Sequence, residues 1–163
     1  MSKVKKYRFH LVASGWLPVS EHYQSCAFTQ KAVKFAKMMM SLGHEVFIYG
    51  VKSENFDIPP CTEFVETHTL DDIRKAYGEG NNFFEIGYDW KKAATFKYDE
   101  HGYLSDCSER FYEGLLREIP KRYQAGDFLC LTFGEYFKEV ALKLDIPLTV
   151  EYGVGYPHAF TPY

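Results

Sequence analysis

The chain opens with a pattern that few folds accommodate: a short apolar run, a polar break, an amphipathic helix and a second apolar run. Tyr7-Arg-Phe-His-Leu-Val-Ala13 is rich in β-branched and aromatic residues and ends in a small one, which reads as a strand. Ser14-Gly-Trp-Leu-Pro18 breaks it, and a polar loop runs on through Ser25. From Ala27 to Leu42 the apolar residues Ala32, Val33, Phe35, Ala36, Met39 and Met40 recur on one broad helical stripe, with Gly43 as a fitting stop. The consecutive Met38, Met39 and Met40 read as core filler beneath a sheet. His44 to Gly50 is then a second buried strand, reached through the short return that αβ connections use. A strand, helix and strand in this order form a parallel, right-handed βαβ unit.

The alternation continues. Glu63 to Thr67 is a candidate third strand, and Thr69 caps a short helix over Leu70 to Tyr77 with Asp71 and Asp72 in its first turn. Glycines and aromatics punctuate Gly78 to Tyr103, where Phe83 to Ile86 is a further strand candidate. A helix is expected from Cys107 to about Gln124, kinked or split at Pro120. Phe128 to Thr132 is a nearly continuous apolar run, as a central parallel strand requires. A helix from Glu135 to Leu144 and a last strand from Leu148 to Tyr152 complete the series. The fold class is therefore α/β: one Rossmann-like, doubly wound domain over residues 1–163, with a mostly parallel sheet and helices on both faces.

Composition narrows the function. A formal net charge of −3 disfavours a nucleic-acid partner, because such domains are usually basic. Lys31, Lys34 and Lys37 share a helix and read as a solvated face, or else as a patch for a phosphate-bearing or membrane-surface acceptor. The four cysteines lie far apart with no CxxC pair, which argues against zinc and for free thiols in a reducing compartment. Neither a signal peptide nor an apolar stretch of roughly 20 residues is present, so a cytoplasmic protein, peripheral to a membrane at most, is expected. Aromatic residues make up 18% of the chain, enough either to fill a core or to line a sugar-binding surface.

Ligands of open parallel sheets bind beyond the carboxyl ends of the strands. The segments Ser14–Ser25, Phe133–Glu135 and Glu151–His158 reach that edge, and Gly15, Gly134 and Gly153 let backbone approach a ligand there. The first segment holds one glycine where a dinucleotide fingerprint needs three, which disfavours a nicotinamide or flavin cofactor. Trp16 and Tyr23 suit stacking on a sugar face. His22 is either a base near neutral pH or a plain surface histidine. Thr29, Gln30 and Lys31 form the first turn of a helix whose amino end favours anions. Glu135 and Glu151 are two carboxylates at the same edge, suited to acid/base or hydroxyl-binding work. Glu135 alone has an easy alternative, that of complementing its helix dipole. Glu151 on a buried strand would need a partner.

Cys26-Ala-Phe-Thr-Gln-Lys31, Lys37-Met-Met and Ser41-Leu-Gly-His-Glu-Val46 with Tyr49-Gly50 resemble the start of GT-B glycosyltransferases of family four. Gly126-Asp-Phe-Leu-Cys-Leu131 and Val150-Glu-Tyr-Gly-Val-Gly-Tyr156 resemble later segments of the same group, in the same order. The resemblance implies a two-domain enzyme that moves a sugar from a nucleotide-sugar donor to an acceptor without a metal ion. It implies that this domain keeps the acceptor face and some catalytic groups; the candidates read from the loops are then His22, Glu151 and Glu135 for catalysis, and Gly15, Trp16, Tyr23, Thr29, Gln30, Lys31, Gly134 and Gly153 for a sugar or glycan acceptor. The donor is held by a carboxy-terminal domain, which would then be this domain's partner, and the present domain alone should be nearly inactive. The residues after Tyr152 lack a terminal helix, which suggests that the natural protein continues. The competing expectation is a stand-alone Rossmann-like binding or interaction module. A nucleotide-hydrolysing enzyme fares worse for want of a P-loop.

Overall fold

The structure is a computed structural model that describes residues 5–12, 27–51, 58–69, 71–72, 105–131 and 134–151; for 27–29, 105–109, 134–138 and 151 it describes the backbone alone. Its strands are β1 (Arg8–Val12), β2 (Glu45–Gly50), β3 (Glu63–Glu66), β4 (Phe128–Leu131) and β5 (Thr149–Glu151). Its helices are α1 (Ala27–Ser41), α2 (Ser105–Glu118) and α3 (Gly134–Lys143), with a 3-10 turn at Ile119–Lys121. The strands form one five-stranded sheet, every pairing parallel, in the order β3-β2-β1-β4-β5. An α/β architecture is what the alternating pattern predicts, and the chain reverses its direction of growth between β1 and β4.

Each face of the sheet has its own apolar layer. On one, Leu11, Val46, Ile48 and Cys130 pack against Ala32, Val33 and Ala36 of α1. On the other, Val12, Tyr49, Val65, Leu129 and Leu131 meet Phe111 and Leu115 of α2 and Val140 and Ala141 of α3. The period-two alternation of the strands feeds both layers, because successive side chains point to opposite faces. The α1 stripe is as its spacing predicts, with Phe35, Met39 and Met40 half-buried against the sheet. Met38 departs from the expectation of core filler: it is 50% exposed, because it falls on the opposite side of the helix from Ala36 and Met40. Lys31, Lys34 and Lys37 are exposed, as a solvated face would be.

The breaks also have local causes. Gly43 takes φ +83°, and the bonds Gly43 N–H to Met40 O (3.0 Å) and His44 N–H to Met39 O (3.0 Å) close α1 in a Schellman motif. Asp145 closes α3 the same way at φ 52°, with Ile146 N–H donating to Ala141 O at 2.9 Å. Pro120 cannot extend an α-helix, so the chain tightens to a 3-10 turn at Ile119. Thr69 caps as expected: its hydroxyl accepts from Asp72 N–H at 3.1 Å while Asp72 accepts from Thr69 N–H at 2.9 Å. The candidate strand Phe83 to Ile86 lies outside the described residues.

Candidate functional site

At the carboxyl edge the register lines up the last residues of β1, β4 and β5 with the penultimate residue of β2. Tyr49 lies opposite Val12, Val12 opposite Leu131, and Leu131 opposite Glu151. Strands are about 4.8 Å apart, so the ends of β1 and β5 are separated by roughly 10 Å. Three chain segments named from the sequence leave the sheet along this row: after Val12, before Gly134 and after Glu151. The switch between β1 and β4 falls among them, where open α/β sheets hold their ligands. Gly134 and Glu135 are the first two residues of α3, and Glu151 is the last of β5, an edge strand whose Thr149 and Val150 are exposed rather than the buried strand its sequence suggested. Thr29, Gln30 and Lys31 are in the first turns of α1; Gln30 is half-buried, Lys31 is exposed, and both have interaction partners. Gly15, Trp16, His22, Tyr23 and Gly153 lie outside the described residues.

A cavity of about 280 Å³ opens at the same edge, past the end of β3. Glu66, Thr67, His68 and Thr69 form one wall, and Asp72 stands beside them. Arg110, Glu113 and Arg117 of α2 form the other, because residues three and four apart share a helix face. Gly114 sits in the middle of that face. A Cβ there would lie 2.4 Å from the carbonyl oxygen of Thr67, so only glycine lets the helix approach this closely. Arg117 Nη2 donates to that same carbonyl at 3.0 Å, and Arg110 Nη1 donates to Asp72 at 2.8 Å.

His68 is the unusual member. It is 5% exposed and edge-on to Phe111, with ring centroids 5.3 Å apart. Its Nδ1 is 3.0 Å from the Thr67 hydroxyl, which donates in turn to the Gly50 carbonyl at 3.3 Å. With the hydroxyl proton on the Gly50 carbonyl, the hydroxyl accepts from Nδ1–H and Nε2 carries a lone pair. That Nε2 is buried and has no hydrogen-bond partner among the described residues. Burial pushes the imidazole pKa down to about 4, the Asp72 carboxylate opposing and the Arg110 guanidinium assisting, so the ring is neutral near pH 7.

The opposite edge carries a denser polar cluster. Arg8, Glu45 and Glu63 begin their strands, and Asp127 immediately precedes β4. One oxygen of Asp127 accepts from Arg8 Nη1, His10 Nε2 and Gln124 N–H, each at 2.9 Å. With Nε2 donating, Nδ1 of His10 accepts from the Tyr49 hydroxyl at 2.8 Å. Arg8 also reaches Glu45 at 2.9 Å and the Arg122 carbonyl at 2.8 Å. Arg122 grips Glu63 through two bonds of 2.8 and 2.6 Å, and it bonds Glu118 at 3.1 Å. His10 is fully buried; desolvation lowers its pKa, and Asp127 opposes the shift. An Asp-His-Tyr relay closed to solvent has no room for a substrate. It clamps β1, β2, β3 and the approach to β4.

Neither cluster is prominent in the sequence. His10 is visible there only as an interruption of an apolar run, and its carboxylate lies 117 positions away. The one usable signal is that a histidine inside a buried strand must have a partner. His68 sits between a strand and a helix cap, where a polar residue is unremarkable. Neither a protein-family model, nor a curated protein, nor a solved structure matches the chain.

Proposed function

We propose that the chain is the amino-terminal, acceptor-binding domain of a metal-independent GT-B glycosyltransferase. The observation that carries this reading is the switch point between β1 and β4, where Val12, Leu131 and Glu151 end neighbouring parallel strands; in sequence His22 follows the first of these and Gly134 the second. In the proposed reaction an acceptor hydroxyl attacks the anomeric carbon of a nucleotide sugar. The bond to the nucleoside diphosphate breaks, and the acceptor proton passes to a base, for which His22 and Glu151 are the candidates. Trp16 and Tyr23 would stack on the acceptor, with Thr29, Gln30, Lys31, Gly15 and Gly153 around it. A cytoplasmic enzyme agrees with this chemistry, and among the described residues no helix is long and apolar enough to cross a membrane.

The product of the complete reading frame, incubated with nucleotide sugars and glycan acceptors, should release nucleoside diphosphate. His22→Ala and Glu151→Ala should each lower that turnover without shifting the unfolding midpoint. A protein that binds no nucleotide sugar overturns the reading. A second reading, a stand-alone binding module, is favoured by one observation: the cavity past β3 is built from this domain's own residues.

A further inference from the structure

The cavity past β3 combines space with an unmet hydrogen-bonding group. A buried nitrogen without a partner costs about 1–3 kcal/mol relative to a satisfied one, and in native proteins such atoms are few. His68 Nε2 is such an atom, on a ring that walls the cavity. The tautomer set by Thr67 makes it an acceptor, so what it lacks is a donor.

We propose that this cavity binds a neutral, hydroxyl-rich ligand, a sugar ring or small polyol, one hydroxyl of which donates to His68 Nε2. The charges around it select that class. Glu66, Asp72 and Glu113 bring three carboxylates against the two guanidinium groups of Arg110 and Arg117. Both guanidinium groups are already engaged, Arg110 by Asp72 and Arg117 by Glu118 and the Thr67 carbonyl, so an anion meets net negative charge. A cation finds no cluster of three or more metal-binding side chains among the described residues. Hydroxyls both donate and accept, which suits a wall that alternates carboxylates and guanidinium groups. At about 280 Å³ the space is at the small end for ligand sites, which begin near roughly 300 Å³, and it suits one ring rather than a nucleotide. Nε2 is shielded from bulk water, so the ligand hydroxyl reaches it only when a side chain of the wall shifts, and the half-exposed Arg110 is the proposed one. The inference goes beyond the transferase reading, since it holds equally for a binding module.

The test is a titration of the ¹⁵N-labelled full chain with methyl α-D-glucopyranoside, with glycerol and with inorganic phosphate in separate arms. The glucoside or glycerol should shift the His68 Nε2 resonance saturably, together with the Arg110 and Arg117 side-chain signals. His68→Asn, which keeps a group near the Nδ1 position and removes the acceptor, should weaken binding by roughly tenfold, the weight of one hydrogen bond. His68→Gln, which returns an acceptor near Nε2, should recover part of it. Failure of both polyols to shift these signals in the folded wild-type chain overturns the proposal, as does a response to phosphate alone. Polyol binding without sugar transfer by the complete protein sinks the transferase reading and leaves this one standing. Transfer without these shifts does the reverse.

Discussion

Two buried histidines face the same helical layer from opposite ends of the sheet, and they are treated differently. His10, at the amino edge, has both nitrogens bonded, one to a carboxylate and one to a phenol. His68, at the carboxyl edge, has one nitrogen bonded and one bare. Burial lowers the pKa of both. Completed networks in a low-dielectric interior fix structure, while an incomplete one carries an unmet cost. The difference separates an edge that holds the fold from an edge with room for a ligand.

The strongest way to break that contrast is Asp127→Ala. It removes the Asp127 partner of the Arg8 guanidinium, which keeps Glu45 and the Arg122 carbonyl, and leaves a buried hydrogen-bond donor on His10 unmet, at a pair whose side chains are only 18% and 6% exposed. Removing one partner of such a pair costs about 3–5 kcal/mol, so the urea midpoint should collapse or the chain should fail to fold. A loss below about 1 kcal/mol would mean the amino edge is no clamp.

Acid probes both edges together. Unfolded imidazoles titrate near 6.5, whereas His68 in the fold titrates at about 4. As pH falls below about 6.5 the unfolded chain takes up protons first, so stability is complete above that value and declines beneath it. At about 1.4 kcal/mol per unit, His68 alone accounts for about 2 kcal/mol lost between pH 6.5 and 5, and His10 adds in the same direction. Urea midpoints across that window should fall in the wild type and fall less steeply in His68→Asn. The depressed carboxylates of Asp72 and Glu118 lose stability only at lower pH, below their ordinary values. A flat wild-type profile would show that His68 is not desolvated.

The contrast also explains what could be read in advance. Local rules reached the βαβ start, the Gly43 stop and the break at Pro120, because each depends on a handful of neighbouring residues. Strand boundaries came within a residue or two for the same reason: period two and period 3.6 are local signals. The clusters depend on register. Arg8 meets Glu45 because β1 pairs β2 in parallel, and Asp127 meets His10 only once β4 lies beside β1. Nothing near His68 in sequence announces that α2 will arrive with a glycine. Met38 shows the limit of composition: methionine suits a core, yet position on the helix decided exposure. Of the residues named for chemistry, Glu135, Gly134 and Glu151 come to one edge, while His22, Trp16, Tyr23, Gly15 and Gly153 lie outside the described residues.

Gly114→Ala tests the carboxyl edge from the helix side. Alanine is favoured in a helix by about 1 kcal/mol. The new Cβ, however, falls 2.4 Å from the Thr67 carbonyl oxygen and 2.8 Å from the Thr67 Cβ, and backbone cannot step aside cheaply. Overpacking of this kind costs about 1–3 kcal/mol, so a net loss of about 1–2 kcal/mol is expected from thermal unfolding. The strain should appear in the NMR signals of Thr67 and His68 and leave those of His10 unmoved. Equal changes at both histidines would mean that the two edges are one cooperative unit.

The smallest effect is the most discriminating. Arg110–Asp72 and Arg8–Asp127 are both arginine–aspartate pairs, 2.8 and 2.9 Å long. Bond length gives no reason to expect different energies. Their surroundings do: Arg110 is 51% exposed, so water replaces its partner when the pair is cut, whereas Arg8 is enclosed. Arg110→Ala should therefore change stability by no more than about 0.5 kcal/mol in urea unfolding. It should still be felt electrostatically, because the guanidinium is a nearby positive charge that depresses the His68 pKa. Removing it leaves the Asp72 carboxylate unopposed, and an imidazole beside a lone carboxylate binds its proton more tightly. The NMR titration of His68 should accordingly move upward in pH. A large stability loss, or a His68 titration that moves down, would place Arg110 within a structural network like that of Arg8 and erase the distinction between the two edges.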